Sequence, residues 1–225
     1  MASETKLAEA FGKSLLAENM EKKEIEAFLK LGRVRLLRCA KGEVVFHDRD
    51  EPSCFYILAE GEVHIRKDSF TGRSIFLSEI SEPGDVFGEV YLLLGKRYDM
   101  YVEAVRDTQL LAIEGDVFRY GGPAALQVQQ NLMMVLARKA YFMHTKLKIM
   151  ASGNLREKII RFIFWSMAPD GSITLDFTRE TWADYLAVAR PSLSRELSAL
   201  QDEGILAVQG KQIRVLDREK FEAYL

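Results

Sequence analysis

The sequence predicts an α+β chain in three parts: an N-terminal helix and jelly-roll-like β-roll over 1–120, a long helix over 121–152, and a winged helix–turn–helix over 153–225. Three observations predict it. From Val34 to Phe118, short apolar or alternating runs are punctuated by Gly42, Gly61, Gly72, Gly84 and Gly95, the spacing of a strand-dense roll or sandwich. Between Pro123 and Gly153 no Pro or Gly interrupts an amphipathic stretch. The C-terminal part divides into helix, tight turn, helix and hairpin, the order of a DNA-binding winged helix.

Each element follows from its own residues. Over 5–31, Ile25, Phe28 and Leu29 fall on one helical face among Glu and Lys. "EVVFHDRD", "CFYILAEGEVHIRK", "SIFLSEI" and "MYVEAVRDTQLLAIEGD" read as strands. Pro123 suits the first turn of the long helix, which at 1.5 Å per residue would run ~45 Å. A seven-residue count places Leu126, Met133, Ala140 and Leu147 at one position, and Gln129, Leu136, Met143 and Met150 three further on. Such a seam asks for a partner helix, either its own copy in a homodimer or the flank of the strand domain. "LREKIIRFIFWSMA" is a further helix burying Ile159, Ile160, Phe162 and Ile163, and "PDGSITLDF" is a turn and short strand.

In the last part, Thr178 is placed to cap a helix whose inner face carries Trp182, Tyr185 and Leu186. After the turn "AVAR", Pro191 opens a second helix with Leu193, Leu197 and Leu200 inward, and Gly204 marks its end. "ILAVQGKQIRVL" makes a hairpin around Gln209-Gly210-Lys211. The outward residues near the start of the second helix, Arg190, Ser192, Ser194 and Arg195, have the chemistry to read base edges, since an arginine can hold guanine O6 and N7 together. Arg179 and Lys211 are placed for phosphates. Small winged helices also contact proteins, which is the competing reading of this region.

The bulk numbers narrow the function. A net charge of −2 requires any nucleic-acid surface to be a local patch. The N-terminus lacks the apolar core of a secretory signal and no run reaches the length of a membrane span, so a cytoplasmic protein is expected. Cys39 and Cys54 form no C-x-x-C and cannot supply four ligands to an iron–sulfur cluster; they fit free thiols, with a redox pair left open. His47, His64 and His144 share no helical ligand spacing, so no metal is expected. No Ser/His/Asp or Cys/His constellation points to an enzyme, and no cofactor is named by the residues.

From "KGEVVFHDRDEPSCFYILAEGEVHI" through "PGDVFGEV" to "TRETWADYLAVARPSLSRELSALQDEGIL", the chain resembles the CRP/FNR family of bacterial transcription regulators. The resemblance implies a homodimer whose roll senses a signal and reorients two DNA-binding domains on a near-palindromic site, with RNA polymerase as a further partner. Arg190 and Arg195 match the arginines of the family's recognition helix and Ser192 a hydroxyl position, while Pro191 replaces its glutamate. Gly88 and Glu89 match the Gly-Glu that holds the ribose of cyclic AMP in members that bind it. The following Arg-Ser is missing, since Tyr98 and Asp99 stand there, with Arg97 beside them. Met143 and His144 fall where the family's adenine-contacting Thr-Ser would be. The resemblance therefore implies an effector other than cyclic AMP, a small molecule or a redox signal, in a site drawn from Gly88, Glu89, Arg97, Tyr98, Met143 and His144. The alternative is a cyclic nucleotide, cAMP or cGMP, held by the Gly88-Glu89 loop.

Overall fold

The computed structural model describes residues 2–69, 74–120, 122–175 and 177–225; Gly72 of the predicted glycine spacing lies outside them. The chain divides into two compact units, residues 1–137 and 138–225, with the division inside the long helix.

The first unit opens with α1 (Ala2–Gly12), a 3₁₀ turn (Leu15–Ala17) and α2 (Lys22–Leu29). The sequence predicts one helix here, and the structure breaks it in two. Ser14 accepts from Leu16 N at 3.1 Å, a local side-chain cap that competes with helix continuation, and Asn19 takes a left-handed φ of +62°. Glu24 then accepts from Glu21 N at 2.7 Å, closing a capping box at the start of α2.

Among the described residues eight strands follow: β1 (Val34–Cys39), β2 (Val44–Phe46), β3 (Cys54–Glu60), β4 (Val63–Asp68), β5 (Ser74–Ile80), β6 (Val86–Phe87), β7 (Tyr101–Ala104) and β8 (Thr108–Glu114). α3 (Glu89–Leu94) lies between β6 and β7, and α4 (Val117–Tyr120) precedes the long helix α5 (Gly122–Met150). The strands make two four-stranded antiparallel sheets, β1-β8-β3-β6 and β2-β7-β4-β5. Of "EVVFHDRD" only Val44–Phe46 is strand; His47 N donates to Asp50 Oδ2 at 2.8 Å and ends the pairing in a turn.

The continuous apolar runs of β3 and β8 arise because their sheet is covered on both faces. Phe55, Ile57, Leu111 and Ile113 pack with Phe11, Leu16 and Phe28 and with Ala125, Val128, Leu132 and Val135 of α5. The alternate residues Tyr56, Leu58, Leu110 and Ala112 turn into the roll with Phe46, Phe87, Tyr98 and Val102. Asn131 of α5 donates to Leu16 O and Glu18 O at 2.8 Å each, fixing the helix to the N-terminal turn. Cys39 and Cys54 are both buried. Along β8 they stand opposite Thr108 and Glu114, six residues apart. That is ~20 Å of strand, against the ~7 Å a disulfide tolerates, so these two thiols form no bridge within one chain.

The second unit holds the end of α5, α6 (Leu155–Ser166), β9 (Ser172–Thr174), α7 (Arg179–Tyr185), α8 (Arg190–Asp202), β10 (Leu206–Gln209), β11 (Gln212–Val215) and α9 (Arg218–Glu222). Its three-stranded antiparallel sheet runs β10-β11-β9. The core gathers Ile149, Ile159, Ile160, Phe162 and Ile163 around Trp182, Leu186, Leu193, Leu197 and Leu200, the inward residues the spacing predicts.

Candidate nucleic-acid interface and the roll interior

Local chemistry sets the helix–turn–helix. Thr178 caps α7 by accepting from Thr181 N at 3.1 Å. Trp182 and Leu186 are fully buried, and Tyr185 is half-buried with its ring 5.4 Å from that of Phe162. The turn passes through Ala187 at φ +52°, a left-handed conformation that costs a residue with a Cβ about 1–2 kcal/mol. Pro191 sits in the first turn of α8, and Gly204 at φ +70° follows its C-cap. A two-residue turn, Gly210-Lys211, joins the wing strands, with Gln209 opposite Gln212.

Arg190, Ser194 and Arg195 are exposed near the start of α8, and Ser192 is half-buried beside them. Arg190 has no hydrogen bond or ion pair with any described residue, and Arg195 donates only to Ser192 Oγ, at 3.4 Å. Arg179 lies 5.7 Å from the Trp182 ring centroid and donates to Gly210 O at 3.5 Å, tying α7 to the wing turn. Burial lowers its pKa from the ordinary arginine value, which still leaves it charged. Lys211 is on that same turn.

One residue outside the predicted set pairs with an acid of this face. Arg156 of α6 donates to Glu196 at 2.6 Å, to both oxygens of Glu203 at 2.7 Å, and to the Tyr224 hydroxyl at 3.2 Å. These bonds raise its pKa further and, at Glu203, hold the carboxyl below the usual glutamate range. Glu196 of α8, the neighbour of Arg195, and Glu203 at the C-cap of α8 are thereby both paired with Arg156. No pattern in the sequence marks this clamp, because its partners are 40 and 47 residues away.

In the first unit the structure brings Gly88, Glu89 and Tyr98 together and turns Arg97 away. Gly88 takes φ +80°, and a Cβ there would meet Tyr56 at 3.3 Å and the Tyr98 hydroxyl at 3.4 Å. Tyr98 stacks on Phe46 with ring centroids 3.7 Å apart, and its hydroxyl donates to Cys54 O at 3.4 Å. Burial first, then Cys54, Asp50 and Glu89, push its pKa upward, so the phenol stays neutral. Glu89 is buried beside it. Arg97 is exposed, donating to Arg49 O at 3.0 Å and ion-paired with Glu51. Asp99 accepts from Lys67 at 2.8 Å and from the Tyr91 hydroxyl, which together hold its pKa down.

Met143 and His144 lie exposed on α5 in the second unit, where Phe142 packs on Tyr185 with centroids 6.1 Å apart. Of the seam on α5, Leu126, Met133, Ala140, Met143 and Leu147 are exposed, and Leu136 and Met150 are half-buried. The stripe packed on the sheet is a different one, Ala125, Val128, Leu132 and Val135.

Residues 36–120 match the model of the cyclic nucleotide-binding domain, and residues 157–224 that of the Crp-like helix-turn-helix domain. The chain belongs to the CRP/FNR family of transcription regulators. It is 29% identical over 192 residues to the transcriptional regulator LdrP of Thermus thermophilus, covering 82% of this chain and 94% of that protein. It is 24% identical over 213 residues to the cyclic AMP receptor protein of the same organism, covering 93% and 95%. The fold is shared with the crystal structure of the Thermus thermophilus catabolite activator protein (TM-score 0.54, 22% identity, covering 94% and 98%). It is shared too with a CooA mutant from Carboxydothermus hydrogenoformans (TM-score 0.58, 19% identity, covering 87% and 89%). Members of this CRP/FNR family bind DNA as dimers through the helix–turn–helix domain. No helix among the described residues is long and apolar enough to cross a membrane.

Proposed function

We propose that this CRP/FNR regulator is a cytoplasmic homodimer without enzymatic activity, which places two α8 helices in successive major grooves of a near-palindromic duplex. Arg190 and Arg195 read base edges, Ser192 and Ser194 serve bases or phosphates, and Arg179 and Lys211 hold the backbone. The observation that carries this reading is the exposed Arg190 and Arg195 beside an acid, Glu196, already consumed by Arg156. Dimerisation runs along the exposed α5 seam of Leu126, Met133, Leu136, Ala140, Met143, Leu147 and Met150. RNA polymerase is the further partner through which bound dimer alters transcription.

The effector is not cyclic AMP. The Tyr56 ring and the Tyr98 hydroxyl cover Gly88, Asp99 carries the wrong charge for a phosphate, and Arg97 is engaged with Glu51. Selection of bound duplexes from a random pool tests the DNA reading: symmetric half-sites centred about 34 Å apart support it, and recovery of no preferred sequence refutes it. Calorimetric titration with cyclic AMP tests the effector reading. Absence of heat is expected, and micromolar binding would show that Tyr98 moves aside and Arg97 exchanges Glu51 for phosphate.

A further inference from the structure

On the outer sheet of the roll, Glu62, His64 and Glu79 place one ligand atom each within 4.8 Å of one another. His64 on β4 stands directly opposite Glu79 on β5, so their side chains share a face. Glu62 is two residues before His64, the same-face period of extended chain, and its Oε1 already lies 3.1 Å from His64 Nε2. The helical-spacing test applied to the sequence misses this set because its ligands are gathered by strand register, across a hairpin.

We propose that Glu62, His64 and Glu79 bind a divalent transition metal of zinc-like character. Imidazole nitrogen and carboxylate oxygen are both ligand types that zinc accepts, and three such ligands leave a fourth position for water. Tetrahedral bonds of ~2.0–2.2 Å need ligand atoms ~3.4 Å apart, so the three side chains must draw in from the 4.8 Å within which their ligand atoms lie. The two carboxylates balance the charge of the ion, and His64 and Glu62 are half-buried, so the ion replaces part of the solvent they have lost.

The surroundings supply the outer support such sites use. Arg106 donates to Gly61 O at 2.8 Å and lies 3.7 Å from Glu62 Oε2, orienting that carboxylate from behind. The Phe76 ring meets the His64 ring edge-on with centroids 5.0 Å apart, an apolar wall on one side. Arg66 Nη2 approaches His64 Nδ1 at 3.4 Å. Ligation through Nε2 puts the proton on Nδ1, so Arg66 must withdraw, and Glu103, 3.6 Å from its Nε, is the waiting acceptor.

The test is calorimetric titration of the full chain with zinc chloride, repeated with Co²⁺ whose visible absorbance reports tetrahedral ligation. One ion per protomer is expected, with affinity falling at least tenfold in both Glu79→Gln and His64→Gln. Glu79 is exposed, so its variant keeps the fold, which circular dichroism checks. No binding at millimolar zinc, or binding that both variants retain in full, overturns the proposal.

Discussion

Met133→Glu is the substitution that bears most directly on dimerisation. Leu126 and Met133 are 55% and 57% exposed, although both lie on a helix whose other face is in the core. Fully burying such a side chain is worth about 1.5–3 kcal/mol, so covering the exposed half of Met133 contributes about 1–1.5 kcal/mol per protomer. Both copies change at once, and two carboxylates then face each other across the seam at a further cost of roughly 1 kcal/mol. The sum, about 3–4 kcal/mol, weakens the dimer by two to three orders of magnitude. The monomer keeps its fold, because the core of this unit is made by Val128, Leu132 and Val135 instead. Sedimentation equilibrium over a thousandfold range of protein concentration reads the change. A dimer constant moved less than threefold would refute the assignment of the seam.

Ala187→Gly relieves the left-handed φ of +52° and should stabilise the second unit by about 0.5–1 kcal/mol, the net of lost strain and the greater unfolded freedom of glycine, measured by urea unfolding. Gly61→Ala should destabilise the first unit by about 2–4 kcal/mol. Gly61 sits at φ +105°, and a Cβ there would come within 2.4 Å of Thr108 Oγ1 and 2.6 Å of its Cα. The Arg156 clamp gives a pH signature. Because Arg156 holds the Glu203 pKa below the ordinary 4.5, the stability from this pair is fully present above that value and drains away as pH falls toward the lowered one. Thermal unfolding of Arg156→Met should therefore lose less between pH 5 and acid than the unsubstituted chain does; parallel curves would contradict the clamp.

The parts of the fold legible in the sequence are those where one physical signal dominates. β3 and β8 read as strands because burial on both faces makes them apolar runs, and α5 reads as one helix because nothing interrupts it. Thr178, Pro191 and Gly204 mark helix ends by side-chain chemistry that acts locally. The break at Ser14–Asn19 was less legible, since Ile25, Phe28 and Leu29 keep helical spacing while a small capping side chain ends the helix before them.

The candidate site was half legible. Arg190 and Arg195 are found from spacing on α8, but Arg156 is not, because an ion pair bridging α6 and α8 leaves no periodic trace. Counting along "GKRYD" finds the missing arginine yet not the consequence that Tyr98 stacks on Phe46 inside the roll, which depends on how the loop enters β7.

If α8 reads DNA, the Arg190→Ala/Arg195→Ala double variant loses its specific duplex. Fluorescence anisotropy with a selected symmetric duplex is the measurement, made at two salt concentrations. Each lost guanine contact costs about 1–3 kcal/mol per protomer, so specific affinity should fall by at least two orders of magnitude. Fold and dimer should be intact, because neither arginine supports the core. A variant that binds the duplex as tightly as the unsubstituted protein would contradict the assignment of α8 as the reading helix.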